Sequence, residues 1–174
     1  VEFNPARIGA YRLIGYENRM LAHRDFNDDK KDAGEIGAGL TVTAFYELVP
    51  RGVKIEVPAV DPLKYQAMNM TEAAMTDAAM TVKLRYKLPD GDTSALLTAA
   101  VKDQGKSIKQ MSDDYVFATS VAAFGMVLRD SPYKGSASFA LAEELGQTGA
   151  RRDPHGYRKE FLELLKKAKA LKRE

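Results

Sequence analysis

From Met80 to Leu88 the chain alternates without a break. Met80, Val82, Leu84, Tyr86 and Leu88 are apolar, and Thr81, Lys83, Arg85 and Lys87 between them are polar. Side chains of an extended backbone point to opposite faces in turn, so this period predicts a strand with one buried and one wet face. After Lys102 the apolar spacing becomes helical, and the two halves obey different packing rules. Strands first and helices afterwards predict an α+β fold.

In the first half, Leu40–Val49 also alternates, but Phe45 and Val49 make its second face partly apolar, which predicts a central strand covered on both sides. Turn chemistry predicts two hairpins. Pro50-Arg51-Gly52 separates that strand from Val53–Val57, and Pro89-Asp90-Gly91-Asp92 separates Met80–Leu88 from Leu96–Val101, with proline fixing φ and glycine accepting positive φ. Val1–Phe3 and Ala10–Glu17 complete the set, the latter holding "YRLIGYENR" as a strand whose tyrosines pack partly into the core. The expected body is an antiparallel β-sandwich of five to six strands. Between strands, Arg24–Gly39 reads as an exposed charged connector with a helical turn near Asp29–Ala33, and Pro58–Ala79 as a mobile or weakly helical loop.

In the second half, Ser112 caps a helix whose first turn carries Asp113 and Asp114 and which then runs apolar nearly all round, through Phe117, Val121, Phe124 and Leu128. Arg129-Asp130-Ser131-Pro132 ends it. Ser138–Leu145 predicts a second helix stopped by Gly146, and Asp153-Pro154 a third, with Tyr157, Phe161, Leu164, Leu165, Ala168 and Leu171 on one face. The helices form a C-terminal layer, and the chain is expected to be one domain, 1–174, strand-rich over 1–102 and helical over 107–174.

Of the residues, 45 % are hydrophobic and 29 % charged, and none is cysteine, which removes disulfides and thiolate chemistry. The longest apolar run, Val116–Leu128, is interrupted by Thr119 and Ser120 and falls short of the roughly eighteen residues a membrane span needs. The chain starts at Val1 with no basic and apolar leader, as expected of a piece excised from a longer protein. Arg151–Glu174 has nine basic and four acidic residues, net +5, leaving the rest at −3 against the overall +2.

Each tempting motif has a bland competitor. Asp25, Asn27 and Asp29 match calcium-loop positions one, three and five, but Lys30 replaces the glycine of the sharp turn and Ile36 the bidentate glutamate. Gly105-Lys106-Ser107 resembles the end of a phosphate loop, yet its opening glycine is Ala100 and its sheet is antiparallel. His23 and His155 stand far apart in polar surroundings, and Met68, Met70, Met75 and Met80 lack a His or Cys to complete a copper site. Lys166, Lys167, Lys169, Lys172 and Arg173 suggest an anionic partner, but their helix needs its apolar face buried anyway and offers Glu160 and Glu163 for pairing. No catalytic, cofactor-binding or metal residue is assigned, and neither nucleic acid nor membrane contact is expected.

The segments "FNPARIGAYRLIGYENRML", "DFNDDKKDAGEIGAGLTVTAFYELVP", "VDPLKYQ", "TVKLRYKLPDGDTS", "VAAFGMVLRDSPYKG" and "GYRKEFLELL" together carry a resemblance over nearly the whole chain. In this order they resemble the C-terminal domain of unknown function that follows a von Willebrand factor type A domain in a family of bacterial proteins. The resemblance implies a non-enzymatic accessory domain of a cell-envelope protein, extracytoplasmic as a periplasmic or lipid-anchored protein. Its partner is the upstream type A domain, which holds the family's metal motif. That reading predicts an exposed apolar or aromatic patch near the N-terminus. The alternative, a ligand-binding or enzymatic domain with a site between sheet and helices, predicts convergence of groups such as Arg12, Glu17 and Asp113.

Overall fold

The computed structural model describes residues 1–16, 20–31, 36–37, 39–54, 64 and 69–172. The fold is α+β, and it divides into two compact units, Val1–Gln104 and Gly105–Glu174.

The first unit holds β1 (Glu2–Phe3), β2 (Ile8–Ile14), β3 (Phe45–Pro50), β4 (Ala78–Tyr86) and β5 (Ala95–Lys102). These strands fall in two small antiparallel sheets, one with the order β1-β4-β5 and one pairing β2 with β3. The β4–β5 hairpin forms around the Pro89–Asp92 turn with Leu84 opposite Leu97 and Tyr86 opposite Ala95. The other expected hairpin does not form among the described residues. β3 pairs with β2, and the Arg51 amide extends that pairing by donating to the Arg7 carbonyl at 2.8 Å, while Val53 and Lys54 are irregular. Residues 55–57 lie outside the described residues.

Leu40–Ala44 also stays out of the sheet. Its would-be partner ends at Ile14, opposite Phe45, because Gly15 and Tyr16 take φ of +76° and +60° and turn the chain away. Within β2, Tyr11 stacks on Phe3 of β1 with ring centres 4.1 Å apart, and Phe3 meets Tyr46 edge-on at 5.3 Å. Tyr16 lies beyond the strand and is half-exposed. The Arg24–Gly39 connector holds a 3₁₀ helix at His23–Asn27, followed by a turn in which the Lys31 amide donates to the Asp28 carbonyl at 3.0 Å; Asp32 and Ala33, the last two residues of the expected Asp29–Ala33 turn, lie outside the described set. Of Pro58–Ala79, Glu72–Met75 forms a 3₁₀ turn and Ala78–Ala79 belongs to β4.

The hub of this unit is Asn4. Its side-chain amide donates to the carbonyls of Ala74 (3.0 Å) and Ala78 (2.8 Å), its side-chain oxygen accepts from the Ala6 amide, and its backbone carbonyl accepts from Arg7 and Ile8. One residue thus ties β1, the start of β2, the 72–75 turn and β4 together. The buried core is small. Among the described residues of the unit only Ala74 and Ala79 are buried.

The second unit has α1 (Asp113–Leu128), α2 (Phe139–Gly149) and α3 (Tyr157–Lys172). Ser112 caps α1 through the Tyr115 amide, and Ser138 caps α2 through the Leu141 amide. α1 is buried on one face only, through Val116, Ser120, Ala123, Phe124 and Val127, whereas Val121 and Leu128 remain exposed. Phe139 and Leu165 are completely buried, and each contributes about 1.5–3 kcal/mol of transfer free energy.

Gly146 does not stop α2. It sits inside the helix because the interface there leaves no room for a side chain: a Cβ would lie 2.8 Å from Leu162 Cδ2 and 2.9 Å from Ser120 Oγ. At Gly149 a Cβ would lie 2.5 Å from the Phe117 backbone nitrogen and 2.8 Å from the Asp113 carbonyl. One turn before Gly146, the buried Ser120 hydroxyl donates to the Ala142 carbonyl at 2.5 Å. α3 starts at Tyr157, later than Asp153-Pro154 suggests, and the Asp153 carboxylate caps it from outside by accepting from the Lys159 amide at 3.0 Å. Among the described residues no helix is long and apolar enough to cross a membrane.

These contacts set an expected contrast between two glycines. Gly149→Ala forces a backbone shift and should cost about 2–3 kcal/mol in urea unfolding followed by circular dichroism. Gly125→Ala in α1, where a Cβ meets nothing within 4 Å, should stabilise by about 0.5–1 kcal/mol.

Candidate functional site

Two features of the structure could carry function: a polar cluster at the tip of the β4–β5 hairpin, and apolar surface that the chain leaves open.

In the cluster, Asp29 is clipped to the hairpin. The Ser94 hydroxyl donates to its Oδ1, the Ser94 amide donates to Oδ2 at 3.4 Å, and the Lys87 ammonium donates to its backbone carbonyl at 2.5 Å. Arg85 Nη1 donates to Ser94 Oγ at 2.5 Å and stands 3.9 Å from the Asp29 carboxylate, with the Phe26 ring 6.0 Å from its guanidinium carbon. Arg85 Nε, shielded from solvent, has no hydrogen-bond partner among the described residues. The Ser94 hydrogen bonds, then the charges of Lys87 and Arg85, hold the Asp29 carboxyl below the usual aspartate range. Among the described residues no imidazole or second carboxylate joins the cluster, and its hydrogen bonds act as a clip fastening the 25–31 connector to the sheet.

The motif residues resolve in the same way. Asp25 and Asn27 belong to a 3₁₀ turn and Asp29 to the clip, and among the described residues no three His, Asp or Glu side chains could hold a metal ion. The Ser107 amide donates to Gln110 Oε1 at 2.9 Å, so the phosphate-like loop closes on itself as a capped three-residue turn. His23 and His155 are exposed, the latter beside Tyr157 with ring centres 5.7 Å apart. Met70 Sδ accepts from Arg51 at 3.5 Å, Met75 is exposed, Met80 lies in β4, and Met68 falls outside the described residues. Of the trio Arg12, Glu17 and Asp113, Arg12 pairs with its cross-strand partner Glu47 and Asp113 occupies the first turn of α1. Glu17 lies outside the described residues.

Much of the basic tail has an internal task, and for Arg158, Lys169 and Lys172 local sequence patterns do not signal it. Arg158 donates to the Gly149 carbonyl at the end of α2 (2.6 Å), pairs with Asp114 in the first turn of α1, and lies 5.0 Å over the Phe117 ring. Lys172 donates to the Val127 carbonyl at the end of α1 at 2.7 Å. Both cations meet the carbonyl ends of helices, where the dipole favours positive charge. Lys169 pairs with Glu143 and Lys166 with Glu163. Arg173 lies outside the described residues.

Open apolar surface is the second feature. On one face of the three-stranded sheet Leu84, Tyr86 and Leu97 are about half-exposed, and every residue of β5 except Val101 is exposed. β5 is also an edge strand.

A family model described as "Uncharacterized protein YfbK, C-terminal" matches residues 1–171. The chain belongs to this family. Among curated proteins, the uncharacterized protein YfbK of Escherichia coli (strain K12) is 38 % identical over 169 residues, 97 % of this chain and 28 % of that protein. The chain therefore spans little more than a quarter of the curated relative it matches. No solved structure matches.

For this YfbK C-terminal family member the clip has a definite pH signature. A folded-state pKa below the unfolded one stabilises above the ordinary aspartate value of about 3.9 and is lost as pH falls through the folded value. Asp29→Asn should lower the urea midpoint at pH 6–7, and the gap from the natural chain should close as pH drops below roughly 4. A gap independent of pH would refute the clip.

Proposed function

We propose that this chain is a non-enzymatic accessory domain of a cell-envelope bacterial protein, in which it orients or extends a von Willebrand factor type A domain through direct protein contact. The observation that carries this reading is the imbalance in the first unit. Only two alanines of its described residues are buried, while Leu84, Tyr86, Leu96 and Leu97 stand about half-exposed on β4 and β5. Apolar residues grouped on an edge strand and the adjoining face mark a surface built for cover.

Three further points support it. The chain matches about a quarter of its curated relative, which leaves most of that protein to other parts. The resemblance read from "YRLIGYENR" and "DAGEIGAG" names a type A domain as the neighbour. Tyr11, Val1 and the Phe3 contacts place aromatic and apolar surface near the N-terminus, where such a neighbour would attach. The reading also treats the two sheets as the layers of one antiparallel sandwich, with Phe3 of one sheet packed on Tyr11 and Tyr46 of the other.

The test is to titrate the chain with the separately produced type A region of a full-length family member. Inter-domain faces of about 600–1,500 Å² bind in trans at roughly micromolar to millimolar concentration. Shifts of amide resonances should map to β4 and β5, and Leu97→Asp should weaken binding at least tenfold while leaving circular dichroism unchanged. Unshifted resonances at about 1 mM would sink the proposal.

A further inference from the structure

Tyr157, Leu164 and Leu171 are spaced by seven residues, close to two helical turns, and so fall within about 20° of one line along α3. They are 70 %, 55 % and 85 % exposed, whereas Phe161, Leu165 and Ala168 on the adjoining face enter the core of the helical unit. A shallow groove runs beside the stripe, bounded by Glu160, Glu163 and Lys167. Burial of the stripe would add to what α3 already buries.

The stripe is symmetric about Leu164, with an apolar residue seven positions to either side. Its charges are symmetric in a complementary sense. Glu160 lies four residues before Leu164 and Lys167 three after it, both on the flank away from the core. Among the described residues neither has an ion-pair partner, since Lys166 takes Glu163 and Lys169 takes Glu143. Turning a second α3 end for end about Leu164 lays Leu164 on Leu164 and Tyr157 on Leu171. It also brings each Glu160 within one residue's rise, ~1.5 Å, of the other copy's Lys167, giving two reciprocal ion pairs. A parallel two-fold copy would put this flank of each helix on opposite sides of the seam, so Glu160 and Lys167 would not face each other across it.

We propose that α3 is a dimerisation helix, pairing antiparallel with α3 of a second copy of this chain about a two-fold axis at Leu164. Two sixteen-residue helices offer less area than the standard ~1,600 Å² interface, so the dimer forms at roughly micromolar concentration. It uses a different surface from the sheet and holds whether or not a type A domain binds there.

The whole chain should sediment as a concentration-dependent monomer and dimer between about 1 and 500 µM. Lys167→Glu alone should raise the dissociation constant roughly tenfold, and pairing it with Glu160→Lys should restore it, a rescue that only facing charges produce. The chain has no cysteine, so Leu164→Cys reads the geometry directly. Mild oxidation should link it into a dimer, while Tyr157→Cys alone should stay unlinked. A chain monomeric at every concentration, its stripe covered instead by another part of its parent protein, overturns the proposal, as does efficient self-linking of Tyr157→Cys.

Discussion

Arg158 sits where three helices meet, and the geometry of the helical unit follows from it. Its guanidinium satisfies the Gly149 carbonyl at the end of α2, faces Asp114 at the start of α1 and covers the Phe117 ring. One side chain therefore fixes the N-terminal end of α3 against both other helices. Lys172 does the corresponding work at the far end, on the last carbonyls of α1. With both ends held, α1 and α3 run in the same direction with α2 opposed to them, and Phe161 is brought edge-on to Phe117 and Phe124 at 5.3 and 5.5 Å. The close seat of α2 depends on the same region, because Gly149 admits the Phe117 and Asp113 backbone where any Cβ would collide. Which face of α3 turns outward is a consequence of these contacts.

The strand unit rests on a different kind of interaction. It has little apolar burial to fix its form, and direction comes instead from Asn4, whose amide and carbonyl groups meet three separate stretches of backbone. Polar hubs specify geometry well because their hydrogen bonds are directional, but each contributes modestly beside a buried side chain. The two units thus differ in how they are stabilised. The helical one closes over its core, and the strand one fixes its shape while leaving leucines in the open.

The parts legible in the sequence are those governed by local periodicity and caps. The alternation through Met80–Tyr86, the Ser112 and Ser138 caps and the Pro89–Asp92 turn all act within a few residues. What was missed depends on partners distant in the chain. Leu40–Ala44 alternates like a strand, yet pairing needs a partner, and Gly15 and Tyr16 remove it. Gly146 resembles a helix stop because its entropic cost is local, whereas its benefit, contact with Ser120 and Leu162, comes from other helices. Asn4 and Arg158 carry no local signal. A lone asparagine before proline reads as a turn, and one arginine among nine basic residues reads as solvated charge.

The same logic describes how the motif-like stretches spend their polar groups. A binding loop keeps its donors and acceptors free and pointed at a ligand, at a cost that the ligand repays. Here the groups turn inward. Ser107 is held by Gln110, Asp28 accepts from the Lys30 amide, and Asp29 is taken by Ser94. Among the described residues these loops spend those polar groups within the protein, which the exposed faces do not. On those faces the groups still unspent are apolar side chains, together with Glu160 and Lys167 beside one such stripe. Charges left beside apolar area favour selectivity over affinity in any contact such a face makes.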